Sequence, residues 1–109
     1  MANTRLKFHP DFYQDIYDQY EYYALQADFD VADKFYAEVD TTLSLISQFP
    51  KGSKLYNPNE LDDIRASKLK SFPYGVFHKY QVSNVYILAL LSLIRDPVIL
   101  HSILRNKIK

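Results

Sequence analysis

From Phe12 onward apolar side chains recur every three or four residues, at Phe12, Ile16, Tyr20, Tyr23 and Ala27. That period predicts an amphipathic helix with one packed face. Pro10 suits its first turn, and Asp11 and Asp15 complement the helix dipole near its start. Asp28-Phe29-Asp30 interrupts the stripe, with Asp30 placed to cap a second helix. There Val31, Phe35, Val39, Thr42, Leu43 and Ile46 form the new face, until Phe49-Pro50-Lys51-Gly52 ends it. So short a break predicts an antiparallel helical hairpin.

The period then changes. After a loop over Lys54 to Glu60, the segments Ile64 to Lys70, Tyr74 to Val82 and Val85 to Ser92 read as strands, and Arg5 to Phe8 as a shorter one before the hairpin. Ser83-Asn84 is the predicted turn between the last two. In the last strand Val85, Ile87, Ala89 and Leu91 alternate with Tyr86, Leu88 and Leu90. Both sets are apolar, as expected of a central strand covered on both faces. Asp96-Pro97 is a cap followed by a preset first residue, opening a short helix that carries Ile99, Leu100, Ile103 and Leu104. The order β-α-α-β-β-β-α predicts one α+β domain over residues 1–109, a helical hairpin packed on an antiparallel sheet.

Charge alters this picture more than composition does. The chain is formally neutral, yet residues 1–48 carry nine acidic groups against three basic, and residues 49–109 ten basic against four acidic. Such a split either draws the two halves together or offers two faces to different partners. Absence of cysteine excludes disulfides, thiolate metal sites and cysteine nucleophiles. His9, His78 and His101 lack metal-ligand spacing, so no metal or other cofactor is expected. The most apolar stretch, Val85 to Leu91, is too short to span a bilayer, and Met1 to Leu6 lacks a signal peptide's apolar run. The expectation is a cytoplasmic protein.

Three groups of side chains are candidates for function. Tyr13, Tyr17 and Tyr22 fall partly off the first helical stripe and suit a protein interface, unless they merely cover the sheet. Arg65, Lys68 and Lys70 form a cationic run, with alternation placing Arg65 on the face opposite the lysines. It reads as a target-binding surface or as an edge that resists aggregation. Arg95 follows the last strand and either contacts a target or pairs with Asp96 or the acidic helices. His78 reads as a core histidine with one hydrogen bond, and His9 as a cap or strand-end residue.

Several ordered segments resemble the ParE/RelE superfamily of toxins. They are the paired helices with Ala32, Phe35 and Leu43 to Ile46, followed by Phe49-Pro50-Lys51-Gly52. Ile64-Arg65 then leads through Leu69 to Phe72-Pro73-Tyr74, and Leu91-Ser92-Leu93-Ile94-Arg95-Asp96-Pro97 closes the set. Phe72-Pro73-Tyr74 and Arg95-Asp96-Pro97 look more like the ParE branch. The resemblance implies a bacterial toxin neutralised by a cognate antitoxin, with Tyr13, Tyr17 and Tyr22 as antitoxin contacts. Arg65, Lys68, Lys70, Arg95 and Arg105 would be its target contacts. ParE-like members poison DNA gyrase by binding, whereas RelE-like members cut mRNA on the ribosome.

In the nuclease alternative the resemblance makes Lys68, Arg95 and His101 the catalytic set. Cleavage through a 2′-oxygen needs a base, cations for the developing charge and an acid. Ala66 and Gly75 stand where that branch has further basic residues, so the binding toxin is the favoured expectation. A decayed member without toxicity is a third one.

Overall fold

The computed structural model describes residues 4–56 and 63–108. Elements follow the order β1 (Arg5–Phe8), α1 (Phe12–Gln26), α2 (Phe29–Gln48), β2 (Ile64–Lys68), β3 (Tyr74–Gln81), β4 (Asn84–Ser92) and α3 (Pro97–Lys107). The expected α+β architecture is present. The loop expected around Asn57-Pro58-Asn59 lies outside the described residues.

Both helices of the hairpin start elsewhere than the sequence suggested. α1 begins at Phe12, two residues later, with Asp11 at the N-cap position but making no side-chain cap bond and Pro10 left in the preceding turn. His9 is a strand-end residue and cap, as expected: its Nδ1 accepts from the Asp11 N–H at 3.1 Å. α2 is capped by Asp28 rather than Asp30, because the Asp28 carboxylate reaches the Val31 N–H at 2.9 Å. Asp30 falls within the first turn, where it complements the helix dipole instead. Ala27, assigned to the packed stripe, is the exposed C-cap of α1. With only Ala27 and Asp28 between them, the helices fold back on each other.

The sheet order is β1-β4-β3-β2. β2, β3 and β4 pair antiparallel, and β1 joins β4 in parallel, which makes the sheet mixed. β1 is held there from both ends. The His9 N–H donates to the Ile87 carbonyl, and Thr4 exchanges two hydrogen bonds with Ser47 at the end of α2.

β4 is central, as its doubly apolar pattern predicted, but its alternation is broken. Phe77 pairs with Ala89 and His78 with Ile87, leaving Leu88 as an extra residue. The bulge puts Leu88, Ala89 and Leu91 on one face while Val85, Ile87 and Leu90 share the other. The β3–β4 turn is Val82-Ser83, not Ser83-Asn84, because Gln81 pairs with Asn84. This register sets Lys79 beside Tyr86; turning one residue later would put that lysine opposite the buried Leu88. Val82 is the first turn residue and has φ of 52°, a conformation that suits glycine.

Each face of the sheet has its own core. On one, Phe12, Ile16, Phe35, Val39 and Ile46 of the hairpin meet Val76, Val85, Ile87 and Leu90. Tyr23, Phe35, Phe72 and Tyr74 contact one another there, mostly edge to face, with ring centroids 5.0–6.3 Å apart. Phe72-Pro73-Tyr74 therefore clamps the β2–β3 connection onto the hairpin. On the opposite face Leu100 and Leu104 of α3 cover Ile64, Phe77, Leu88 and Ala89. Asp96 caps α3 through the Val98 N–H, with Pro97 next, as the sequence indicated.

Candidate functional site

A groove of about 530 Å³ runs along the helical hairpin beside β1, lined by Phe8, Tyr13, Tyr17, Tyr20, Tyr36 and Leu43, among others. Helical spacing explains it: Tyr13, Tyr17 and Tyr20 lie on adjacent turns of α1, and Tyr36, Val39 and Leu43 on adjacent turns of α2. Tyr13 and Tyr17 are 63% and 62% exposed, so much of their ring area faces solvent. Asp40 lies among the lining residues, and Tyr20 Oη donates to Asp33 at 2.7 Å. The result is an apolar, aromatic furrow in an acidic surround. Tyr22, grouped with Tyr13 and Tyr17 in the sequence, lies elsewhere and packs edge-on against Tyr23.

The cationic residues do not converge. Arg65 donates to the carbonyl of Ser53 at 2.6 Å and reaches that of Lys51 at 3.5 Å, so its guanidinium braces the segment after α2. Lys68 is exposed and lines a cleft between α2 and β2 with Ser53, Ser67, Leu45 and Phe49. Lys70 lies just beyond β2 and is exposed. Arg95 lines a different cleft, with Asp15, Asp18, Tyr74 and Lys107. It makes no ion pair among the described residues, to Asp96 or to the helices. His101 packs edge-on against Tyr56 at 5.5 Å, and Arg105 is exposed on the last turn of α3. Lys68 and Arg95 thus line different clefts, and neither cleft is lined by His101.

Gly75 explains part of this dispersal. A Cβ built there would lie 3.1 Å from Leu93 Cδ2 and 3.4 Å from Phe77 Cε2. The side of β3 at this position is already occupied by packed apolar atoms. A side chain could enter only if the Leu93 methyl gave way by a few tenths of an ångström. Ala66 is likewise packed against the α3-side core.

One polar constellation was not anticipated as such. Ser53 Oγ lies 2.5 Å from Ser67 Oγ, which lies 2.8 Å from Nε2 of the fully buried His78. The expected core histidine with one hydrogen bond is thus present. Burial, and then the charge of Arg65, lower the His78 pKa to about 4. A serine nucleophile needs a base that accepts a proton and a third group to orient it. Here protonation is opposed, and His78 Nδ1 has no hydrogen-bond partner among the described residues. The chain of contacts fixes Ser53 and the loop that bears it.

Lys107 closes the molecule on the other side. Its ammonium lies 3.6 Å from Asp11 and 3.9 Å from Asp15, tying the end of α3 to the start of α1. Burial raises the Asp15 pKa, and Lys107 opposes that shift. Among the described residues, no cluster of His, Cys, Asp or Glu is suited to a metal ion, and no helix is long and apolar enough to cross a membrane.

Comparison with known proteins gives two findings. The family described as the ParE toxin of the type II toxin-antitoxin system parDE matches residues 6–97. A solved structure titled as the chromosomal ParDE TA system from P. aeruginosa superposes with a TM-score of 0.71 at 17% identity, covering 83% of this chain and 96% of that one. The search of curated proteins produced no match.

Proposed function

The chain belongs to the ParE toxin family of type II toxin–antitoxin systems, and from that premise we propose that it acts by binding its target, DNA gyrase, rather than by cutting RNA. The observation that carries the choice is Gly75, beneath Leu93 and Phe77. A phosphoryl-transfer site needs convergent cations around the developing charge. On β3 the space for one is taken by apolar packing, and Lys68, Arg95 and His101 have different neighbours. Binding makes no such demand. Arg95, exposed and without an ion-pair partner among the described residues, is the residue we assign to target contact, with Lys68, Lys70 and Arg105 contributing long-range attraction.

Neutralisation by an antitoxin is the second part of this reading. The hairpin groove has the form in which an amphipathic helix lays its apolar face, with Tyr13 and Tyr17 as anchors. Its acidic surround favours a segment carrying lysine or arginine beside its apolar residues.

Purified protein added to gyrase, ATP and relaxed plasmid should suppress supercoiling and leave cleaved DNA, and Arg95→Ala should weaken this about tenfold. Unimpeded supercoiling, or cleavage of mRNA on added ribosomes, would refute the assignment. In the same assay the product of the adjacent reading frame should restore supercoiling. A Tyr17→Asp/Leu43→Asp variant should resist that rescue while still inhibiting gyrase.

A further inference from the structure

Strand pairing assembles a row of side chains from three distant parts of the sequence. Lys7 of β1 partners Tyr86 of β4, which partners Lys79 of β3. Two residues along, Arg5, Asn84 and Gln81 form a second row. Partners in register project from the same face of a sheet. That face points away from the helical hairpin: Leu6, Tyr80 and Val85 pack into the hairpin core, whereas Tyr86 packs against the α3-side core. α3 covers only part of it. Where the helix ends, a groove of about 230 Å³ opens, lined by Lys79, Gln81, Tyr86, Leu88, Lys107 and Ile108.

The charges here are uncommitted. Arg5 and Lys7 are exposed and Lys79 is half-buried, and none has an ion-pair partner among the described residues. Lys107 differs, being held by Asp11 and Asp15. Strand spacing puts Lys7 and Lys79 roughly 10 Å apart, on either side of Tyr86, and Arg5 about 7 Å along the strand from Lys7. Three cations without ion-pair partners among the described residues, around one partly exposed ring at the rim of this groove, suit a ligand that repeats negative charge and carries flat groups between the charges.

We propose that this open face binds a single strand of nucleic acid, phosphates on Arg5, Lys7 and Lys79 and a base against Tyr86. An acidic protein segment would satisfy the cations but leave the ring without a stacking partner. The face lies across the sheet from the hairpin groove, so the proposal does not rest on how an antitoxin binds.

Fluorescence anisotropy of a labelled oligothymidylate, titrated with the purified chain between 50 and 200 mM salt, tests it. Three neutralised phosphates give a slope of log affinity against log salt near about −2. Lys7→Gln/Lys79→Gln should flatten that slope to about −0.7 and weaken binding at least tenfold at the lowest salt. Tyr86→Leu should weaken binding roughly tenfold with the slope unchanged, as loss of stacking requires. Lys68→Gln/Lys70→Gln should change neither. Absence of binding at 50 mM salt, an unaltered slope in the Lys7/Lys79 variant, or equal loss from the Lys68/Lys70 pair would overturn the proposal. So would displacement of the strand by polyglutamate at equal charge concentration.

Discussion

On one side of the sheet, α1 and α2 supply 35 residues of helix and enclose Phe12 and Phe35 completely. On the other, α3 supplies 11 residues, with Leu100 and Leu104 as its buried anchors. Burying a large apolar side chain contributes about 1.5–3 kcal/mol. The hairpin therefore holds the fold, while α3 is a cover attached by two leucines, their partly buried neighbours and the Lys107 tether. Chemistry follows the same division. The hairpin side is acidic and aromatic, and the sheet face beyond α3 is basic.

The largest expected effect tests the hairpin. Phe35→Ala should cost about 3–5 kcal/mol, lowering the denaturation midpoint of the whole domain. A cost below 1 kcal/mol would show that the aromatic cluster does not hold the hairpin side together. Leu100→Ala should cost about 2–4 kcal/mol, and hydrogen exchange should show its first effect in α3. If the hairpin amides lose protection as readily, the two sides form one cooperative unit and the contrast fails.

A third test uses pH. His78 has a folded pKa of about 4 against 6.5 unfolded, so the unfolded chain binds more protons between those values. Above pH 6.5 the ring is neutral in both states and adds no pH dependence, and stability falls as pH drops towards 4, by about 3 kcal/mol in full. Asp15, whose pKa is raised, acts in the opposite sense in its own range. Comparing denaturant midpoints of wild type and His78→Gln from pH 7 to 4.5 isolates the histidine. Parallel curves would remove it as the cause.

The smallest expected effects are local. Lys107→Ala should shift global stability by less than about 1 kcal/mol, since one carboxylate partner is two-thirds exposed. It should still speed hydrogen exchange at the end of α3. Val82→Gly should raise stability by about 1 kcal/mol by relieving the positive φ, visible as a small rise in melting temperature.

The helices were legible in the sequence because their apolar stripes repeat over many turns, and Asp96-Pro97 was legible because cap chemistry is local. Asp28 and Asp30 could not be separated by type; only the approach of Asp28 to the Val31 N–H decides between them. The bulge at Leu88 left no trace in a segment apolar on both faces. Among candidate site residues, Tyr13 and Tyr17 followed from helical phase. Arg65 looked like a surface cation because no pattern announces that its partners are the carbonyls of Lys51 and Ser53. The row of Lys7, Tyr86 and Lys79 was missed altogether, since it exists only through the register of three strands.

Leu88 also bears on how relatives should be aligned. A homologue lacking that extra residue would keep both halves of the central strand in phase, with its counterparts of Ala89, Leu90 and Leu91 facing as they do here. Aligned without a gap, its second half would be read one position out and matched to residues of the opposite face. Sequence comparison across this segment therefore requires a one-position gap within an uninterrupted hydrophobic stretch, where similarity scoring has least incentive to open one.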